Sequence, residues 1–298
     1  MADAAAHLDE AVRGLLLLDD RARIARIDRD LWIGYGRARG ALARLERLLR
    51  SERRQRPDNL LVVGPSNNGK TMVARRFAGL HAVPEDPLAE RASVPVALVQ
   101  APNGARLQPM LEAVLAALGR PPGRRETTAR LRAEAHAALR AAGTRLVLVD
   151  DLHNVRGAGV ASMLVELREL GTLTGVSLGA FATRDIVHVL RQDEQLANRF
   201  EPFLLPRWAA DDPDYPRLLQ TFARRLPLRE PSDLTEPALA ARILALAEGL
   251  IGGVAAILRA AAVEAVRCGR ERIDRPLLDR VGFVPPSALE GFAAARDL

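Results

Sequence analysis

The sequence contains few of the residues that build disulfides, metal clusters and membrane spans. Its 298 residues include one cysteine, Cys268, which excludes a disulfide within the chain and a Cys-based metal cluster. Aromatic residues make up only 4%. The apolar run GLLLL at 14–18 is followed at once by two aspartates, and no run reaches membrane-spanning length. We therefore expect a cytoplasmic protein with no membrane partner.

Lysine is as scarce as cysteine, although the chain is basic. Of its 43 basic residues only Lys70 is a lysine, and the excess of arginine is typical of a GC-rich genome because Arg codons are GC-rich. The net charge of +6 permits an acidic partner such as nucleic acid. Arginines are dense over 21–56, which indicates a solvated basic helix, a DNA-facing segment or a docking arm for another protein.

Three regions of the sequence differ in their hydrophobic pattern. Residues 1–58 carry apolar residues at helical spacing and are predicted to form a basic helical N-terminal appendage. Over 59–208 short apolar runs alternate with helical stretches, which predicts an α/β domain with a parallel sheet and helices on both faces. Residues 209–298 carry only helical patterns, so we expect a small helical lid and a C-terminal tail.

The stretch GPSNNGKT at 64–71 matches the phosphate-binding pattern G-x-x-x-x-G-K-[ST]. It lies between a predicted buried strand and a predicted helix, where glycines let backbone N–H groups wrap phosphates and the helix N-terminus attracts them. The ammonium of Lys70 is expected to reach the β- and γ-phosphates, and the hydroxyl of Thr71 to face Mg²⁺. We predict that the following residues bind ATP: Gly64, Pro65, Ser66, Asn67, Asn68, Gly69, Lys70, Thr71 and Met72.

A second apolar run, LVLVDD, ends in the two acids Asp150 and Asp151. We expect Asp150 to hold Mg²⁺ through water, because a strand ending in an acid is the usual companion of a phosphate-binding loop. Asp151 stands where many such ATPases place a glutamate that polarises the attacking water. Aspartate is one methylene shorter, so either the water is positioned differently or hydrolysis is slow. The alternative for Asp151 is a simple helix or loop cap.

Two further residues complete the predicted catalytic set. Thr183 ends the strand that follows the Asp strand, where a polar residue can touch the γ-phosphate or the attacking water; the alternative is a Thr that merely ends a strand. Arg199 comes near the end of the next helix, and in oligomeric ATPases an Arg in this place acts as a finger on the nucleotide of the neighbouring subunit. Its alternative is a salt bridge within the same subunit.

With these motifs in order, the chain resembles AAA+ ATPases, and more narrowly the TniB family of transposon ATPases, relatives of the Tn7-type target-selector ATPase TnsC. The resemblance implies a P-loop core with sheet order 5-1-4-3-2 and a helical lid. It spans roughly residues 28–285, and the stretches SNNGKT and LANRFEPFLLPRW are specific to it. Four segments carry it: WIGYGRARGALARLERLL at 32–49, NLLVVGPSNNGKTMVARRF at 59–77, VLVDDLHNV at 148–155 and QLANRFEPFLLPRW at 195–208.

The resemblance also implies an ATP-dependent regulator of transposition. Such proteins assemble head-to-tail on double-stranded DNA as rings or helical filaments, and they recruit a DDE transposase of the TniA type, with a TniQ-like adaptor as another partner. DNA binding that follows phosphates is expected to be largely independent of sequence and sensitive to salt. Arg106, near a helix start, and Arg156, in a Gly-flanked loop, are the predicted DNA contacts; a solvated surface Arg is the alternative for each.

Two departures from the family pattern concern catalysis. Similar proteins usually carry Asp-Glu where this chain has Asp150-Asp151, a departure that bears on the rate of hydrolysis. Many AAA+ lids also carry a nucleotide-sensing Arg two or three residues after a Gly at a helix start, where this chain has Val254 and Ala255. Either the lid contacts nucleotide weakly, or Arg259, one turn later, takes that place.

Two rival functions remain at the level of sequence. One is a replication initiator or helicase loader of the AAA+ class, which usually adds a winged-helix or helix-turn-helix domain after the lid, and the residues after the lid here lack that pattern. The other is an ATP-gated DNA scaffold that polymerises and hardly hydrolyses ATP, a reading that Asp151 keeps open.

Overall fold

The computed structural model describes residues 5–84, 92–104, 106–120, 126–152, 159–191, 198–285 and 287–288. The chain divides into two compact units, one over Arg37–Leu205 and one that combines Met1–Gly36 with Pro206–Leu298. The units are referred to below as the α/β unit and the helical unit. This division differs from the predicted boundaries at 58 and 208, because the predicted N-terminal appendage is shared between the two units.

The α/β unit is built on one five-stranded sheet. All paired strands are parallel, and their order across the sheet is β2-β3-β4-β1-β5, which is the expected order 5-1-4-3-2 read from the other edge. Strands β1, β3 and β4 are buried along their whole length, as continuous apolar runs in a parallel sheet should be. The strands are β1 (Asn59–Val63), β2 (Val96–Gln100), β3 (Leu146–Asp150), β4 (Ser177–Ala182) and β5 (Phe200–Leu204).

Helices alternate with these strands along the chain, which confirms the predicted α/β class. Helix α6 begins where the side chain of Thr127 accepts a hydrogen bond from the backbone N–H of Arg130, a regular N-cap. One core of apolar side chains lies under the helices that follow β2, β3 and β4. The helices of this unit are α3 (Gly36–Arg50), α4 (Lys70–Leu80), α5 (Leu107–Ala117), α6 (Thr128–Ala141), α7 (Gly159–Thr174) and α8 (Asp185–Arg191).

Helix α3 explains why the predicted appendage is divided. Its apolar stripe is fully or almost fully buried, and Leu45 also contacts the position where a Cβ at Gly179 of β4 would lie. Arg44 and Arg47 form ion pairs with Glu201 of β5, and the Arg44 guanidinium lies over the ring of Phe203 at 4.6 Å. The helix is therefore packed as part of the α/β unit rather than as a separate arm.

The helical unit contains a 3₁₀ turn (Gly14–Leu17) and six α-helices among the described residues. Side chains of Asp19, Glu236 and Asp274 accept hydrogen bonds from the first backbone N–H groups of α2, α10 and α12, which fixes where these helices begin. The helices are α1 (Glu10–Arg13), α2 (Asp20–Ile27), α9 (Tyr215–Arg225), α10 (Pro237–Ala247), α11 (Ile251–Arg267) and α12 (Arg275–Arg280).

The apolar helices of the described residues differ from membrane spans in length or in shape. Among the described residues, no single helix is both long and apolar enough to do so. Helices α10 and α11 together have the length and apolar composition of a membrane span, but they are bent by 117° at the break between them.

Candidate functional site

The predicted phosphate-binding loop lies at the carboxyl edge of the sheet, between β1 and α4. Because all strands are parallel, this edge also receives the ends of β3 and β4. Gly69 adopts a left-handed conformation (φ 84°) directly before the first residue of α4, Lys70, and Asn67 is also left-handed (φ 58°). These two positive φ angles wrap the loop around the N-terminus of α4, where unpaired backbone N–H groups and the helix dipole favour anions.

Gly64 and Asn68 hold the loop against the residue that follows β5. A Cβ built on Gly64 would lie 2.6 Å from the carbonyl oxygen of Leu205, so no larger residue fits there without movement. The buried side-chain amide of Asn68 donates a hydrogen bond to that same carbonyl oxygen at 2.8 Å. The Asn68 side-chain amide therefore stabilises the loop itself.

Lys70 is only 4% exposed, which is unusual for an ammonium. Its Nζ donates to the carbonyl oxygens of Gly64 at 2.9 Å and Pro65 at 2.7 Å. Burial lowers the pKa of Lys70, and the nearby charges of Asp151 and Asp150 act against this shift. A compact ammonium on a flexible stem suits this narrow loop, whereas a planar guanidinium with five donors would need more room.

Asp150 ends β3 and is 1% exposed. Burial raises its pKa, and a hydrogen bond from the Thr71 hydroxyl partly offsets this shift. The backbone N–H of Asp151 donates to Asp150 Oδ1 at 2.9 Å. A hydroxyl and a carboxylate in contact are oxygen ligands of the kind that Mg²⁺ takes. The described residues contain no cluster of three or more His, Cys, Asp or Glu side chains suited to a metal, so bound Mg²⁺ would also need phosphate or water oxygens.

Asp151 has a left-handed backbone (φ 53°), which is uncommon for a residue other than glycine. Its Oδ2 accepts a hydrogen bond from Gln100 Nε2 at 2.6 Å. Gln100 ends β2, the strand next to β3, and pairs in register with Asp150. Gln100 was not predicted as a site residue. Its signal in the sequence is a polar residue that ends an otherwise apolar strand, but its partner depends on the strand order.

These groups surround one cleft of about 240 Å³. Seven of the nine predicted ATP-binding residues line it, and Asp151 is the lining residue that comes from outside the loop and α4. The cleft therefore combines backbone donors, an ammonium, a hydroxyl and a carboxylate. Its lining among the described residues is Ser66, Asn67, Asn68, Gly69, Lys70, Thr71, Met72 and Asp151.

Thr183 and Arg199 lie at opposite edges of the sheet. Thr183 directly follows β4, whose last residue Ala182 is in register with Val63 at the end of β1, so this half-buried threonine lies at the same edge as the loop. Arg199 directly precedes β5, and its carbonyl oxygen accepts a hydrogen bond from the backbone N–H of Asn59 at 3.2 Å. No ion pair of Arg199 is found among the described residues.

Among the described residues of the α/β unit, Arg106 does not line the cleft. Arg106 is exposed and directly precedes α5, and Arg156 lies outside the described residues. In the helical unit Arg259 Nη1 lies 3.4 Å from Asp30 Oδ1 and 3.4 Å from the carbonyl oxygen of Asp28. Val254, at the place where many AAA+ lids carry an Arg, is fully buried.

Comparison with solved structures shows the fold. The Aeropyrum pernix ORC1 protein in complex with DNA matches with a TM-score of 0.56 and 21% identity, over 90% of this chain and 68% of that chain. Cdc6p from Pyrobaculum aerophilum matches with a TM-score of 0.55 and 13% identity, over 85% of this chain and 66% of that chain. Drosophila ORC bound to DNA matches with a TM-score of 0.54 and 13% identity, over 92% of this chain and 66% of that chain. These likenesses and the strand order identify an AAA+ P-loop fold.

Comparison by sequence shows the family. None of the curated proteins matches the chain significantly. The family described as "Bacterial TniB protein" matches residues 23–210, a range that contains the loop, both acids, Thr183 and Arg199. Since this range covers more than half of the 298 residues, the chain belongs to the TniB family of transposon-associated AAA+ ATPases.

Proposed function

We propose that the protein is an ATP-dependent regulator of DNA transposition, which binds ATP with Mg²⁺, assembles on double-stranded DNA and recruits a DDE transposase. The observation that carries the proposal is the cleft at the carboxyl edge of the sheet, where the loop residues, Lys70 and the acid of β3 converge. Membership of the TniB family supports a role of this cleft in transposition.

In the proposed complex the loop binds the phosphates of ATP. Backbone N–H groups of residues 66–70 and the N-terminus of α4 face the β-phosphate, and Lys70 exchanges its two carbonyl contacts for phosphate oxygens. This exchange is favourable because a buried ammonium gains more from an anion than from neutral carbonyl oxygens. Thr71 and Asp150 are the residues that would hold Mg²⁺. When bound, the ion withdraws charge from the phosphates.

Asp151 is the proposed base. It would accept a hydrogen bond from the attacking water, orient the water oxygen toward the γ-phosphorus and take a proton as the new P–O bond forms. The bond from the γ-phosphorus to the bridging oxygen breaks, so ATP and water give ADP and phosphate. Thr183, at the same edge, is the proposed second contact of the γ-phosphate or the water. The side chain of Asp151 is one methylene shorter than that of glutamate, which favours slow turnover.

Assembly is proposed to place Arg199 of one subunit on the nucleotide of the next. The position of Arg199 at the amino edge supports this arrangement, because five residues of β1 separate the two edges by about 16 Å, farther than an Arg side chain extends. A head-to-tail interface of this kind generates rings or helical filaments. ATP binding would then control assembly, and a positive surface would follow DNA phosphates with little preference for sequence.

The partners beyond DNA follow from the family. We propose that a TniA-like DDE transposase and a TniQ-like adaptor bind the assembled form, and that Arg106 and Arg156 contact the duplex. Arg106 is exposed and has no described ion pair, which suits a phosphate contact.

A turnover assay tests the nucleotide site. Phosphate release and nucleotide binding are measured with and without duplex DNA for the wild type, Lys70→Ala and Asp151→Asn. Lys70→Ala should lose ATP binding, and Asp151→Asn should keep binding but lose turnover by roughly 100-fold or more. Unchanged turnover in Asp151→Asn would show that Asp151 is not the base.

A second function is favoured by one observation. The Asp151 carboxylate is short and already accepts a hydrogen bond from Gln100, so the protein could act as an ATP-gated DNA scaffold that hardly hydrolyses ATP. The same assay separates the two functions: a scaffold assembles on DNA with ATP, and the wild type turns over no faster than Asp151→Asn.

A further inference from the structure

A short segment that follows β5 joins the two units of the chain, and hydrogen bonds hold it at both ends. The α/β unit ends at Leu205, and the helical unit resumes at Pro206. We call residues 205–208 the junction segment. The function proposed above assigns this segment no role in the response to ATP.

The first residue of the junction segment, Leu205, is held by the α/β unit. Its backbone N–H donates to the carbonyl oxygen of Val63, the last residue of β1, at 2.8 Å. Its carbonyl oxygen accepts the bond from the Asn68 side-chain amide, and Gly64 packs against that same oxygen. Asn68 is only 2% exposed, so water does not compete for its bond. The phosphate-binding loop and the strand that leads into it therefore bind both polar backbone groups of Leu205.

The carbonyl that Asn68 binds belongs to the peptide group that connects the two units. A peptide group is planar, so the Leu205 carbonyl and the nitrogen of Pro206 turn together. The proline ring fixes φ at about −65°, and a residue before proline is restricted to extended conformations. A displacement of the Leu205 carbonyl is therefore passed along the chain, because the nearest backbone bonds have little freedom to absorb it.

The other end of the junction segment is bound within the helical unit, at the turn between α10 and α11. The backbone N–H of Trp208 donates to the carbonyl oxygen of Gly249 at 2.7 Å, and Arg207 Nη1 donates to that of Glu248 at 2.5 Å. Gly249 has a φ of 70°, and a Cβ there would lie 2.5 Å from the Trp208 carbonyl oxygen. Helix α11 begins at Ile251, so the junction segment is attached directly before this helix.

Phosphate binding changes the contacts of the loop that holds Leu205. Lys70 Nζ binds the carbonyl oxygens of Gly64 and Pro65, and in the proposed complex it exchanges them for phosphate oxygens. Gly64 is then released by Lys70 while it still packs against the Leu205 carbonyl. The lid position where many AAA+ ATPases carry a nucleotide-sensing Arg cannot report this change, because Val254 there is apolar and fully buried.

We propose that Asn68 couples the occupancy of the phosphate-binding loop to the helical unit, through the Leu205 carbonyl and the junction segment. This inference rests on the proposed binding of ATP and adds a route by which ATP controls the helical unit. Asn68 is a positioning residue in this route, since its side-chain amide binds a protein carbonyl. Because coupling between two sites is reciprocal, a change at the far end of the junction segment should also alter the affinity for ATP.

A double-mutant cycle on nucleotide affinity tests the proposal with the full-length chain. Calorimetry measures the dissociation constant of a non-hydrolysable ATP analogue for the wild type, Asn68→Ala, Arg207→Ala and the double variant. Arg207→Ala removes a bond at the far end of the junction segment, so it should shift the affinity roughly 5-fold in the wild-type background. In the Asn68→Ala background it should cause little further shift, because the route is already interrupted.

Arg217→Ala is the matched control and should bind the analogue as the wild type does. Arg217 is an exposed arginine of the same unit, and it donates to Asp214, three residues before it. A purely structural role of Asn68 would weaken binding by itself but would leave the effect of Arg207→Ala unchanged, so the cycle separates positioning from support of the loop.

The outcomes also separate this inference from the proposed function. An effect of Arg207→Ala that disappears in the Asn68→Ala background supports the coupling. An equal effect in both backgrounds, or none in the wild-type background, overturns the coupling and leaves ATP binding intact. A wild type that binds no analogue contradicts the proposed function, and the inference with it.

A second variant, Asn68→Leu, fills the same buried space without a donor and replaces Asn68→Ala in a repeat of the cycle. Loss of all binding by both Asn68 variants, with the circular dichroism spectrum of the wild type, would show that Asn68 only supports the loop and would overturn the coupling.

Discussion

At the scale of single residues, Asp151 is distinguished by its backbone and by its partner. Its left-handed φ of 53° turns the chain away from β3, and Gln100 holds one carboxylate oxygen at 2.6 Å. A carboxylate that is held by a neighbouring strand is less able to turn toward a water on the γ-phosphate. Gln100 is thus placed to restrain the proposed base, and its own strand leads directly to the loop that carries Arg106.

Gln100→Ala should therefore raise ATP turnover in the absence of DNA several-fold and reduce the stimulation by DNA, because the Asp151 carboxylate loses the hydrogen bond that restrains it. The measurement is steady-state phosphate release with and without duplex DNA. Gln108→Ala is the matched control, since Gln108 makes an exposed hydrogen bond to Glu112 on α5. Lower turnover of Gln100→Ala in both conditions would mean that Gln100 positions Asp151 productively instead.

How much of the site was visible in the sequence depends on whether its parts are neighbours in the chain. The loop from Gly64 to Thr71 is contiguous, so its pattern alone predicted the cleft. The bond from Asn68 to the Leu205 carbonyl joins residues that are 137 positions apart, and no local pattern reports it. Gln100 was missed for the same reason, because its partner Asp151 is set by the order of strands across the sheet.

At the scale of elements, α2 is fixed within the helical unit by a buried ion cluster. Arg23 is fully buried and donates to both carboxylate oxygens of Glu271, at 2.5 and 2.8 Å. Arg229 Nη1 donates to the same carboxylate at 2.7 Å, and Asp20 accepts a further bond from Arg23 at 2.8 Å. One carboxylate thus connects α2 with the segments that flank α10 and α11.

Glu271→Gln should destabilise the protein by about 3–5 kcal/mol, because it leaves Arg23 buried without its main counter-charge. Arg23→Met should cost less, since Glu271 keeps its bonds to Arg229. Urea unfolding followed by circular dichroism measures both. Arg21→Met, at an exposed position of the same helix, is the control and should stay within about 0.5 kcal/mol of wild type. Equal stability of Glu271→Gln and wild type would show that this ion cluster does not stabilise the protein.

His136 on α6 makes the stability of the protein depend on pH. Its Nε2 is buried and has no hydrogen-bond partner among the described residues, and burial, followed by the charges of Arg140 and Arg132, lowers its pKa below the ordinary value of 6.5. The unfolded chain therefore binds a proton more readily than the folded protein when the pH falls below about 6.5. The contribution of His136 to stability is complete above that pH and is lost as the pH falls toward the pKa in the folded state.

His136→Leu should accordingly lose less stability than wild type between about pH 7.5 and pH 5.5. The measurement is urea unfolding of both proteins at the two pH values, with the difference between the two free energies of unfolding compared. An identical loss in the two proteins would show that the imidazole of His136 titrates no differently in the folded and unfolded states.

Sequence patterns predicted most elements but not how they are grouped. Apolar runs predicted β1, β3 and β4, because a parallel sheet buries its central strands as continuous apolar segments. The helical character of α3 was also predicted, but its place in the α/β unit was not. An amphipathic stripe indicates that a helix packs against other elements, but it does not identify those elements. The bonds of Arg44 and Arg47 to Glu201 decide that question.

At the scale of the whole molecule, the proposed function requires assembly on DNA that is controlled by ATP. The net charge of +6 and the arginines without described partners favour contact with phosphates, so binding to duplex DNA should weaken steeply with salt, by a slope of about −0.9 per phosphate contact on a double-logarithmic plot. The number of subunits in an assembly is set by the interface between copies.

Electron microscopy of the protein with duplex DNA at low salt, with and without a non-hydrolysable ATP analogue, tests the central claim most directly. We expect ordered rings or filaments on DNA with the analogue, and few or none without it or with Lys70→Ala. A protein that stays monomeric and off DNA in every nucleotide state at low salt would contradict the account.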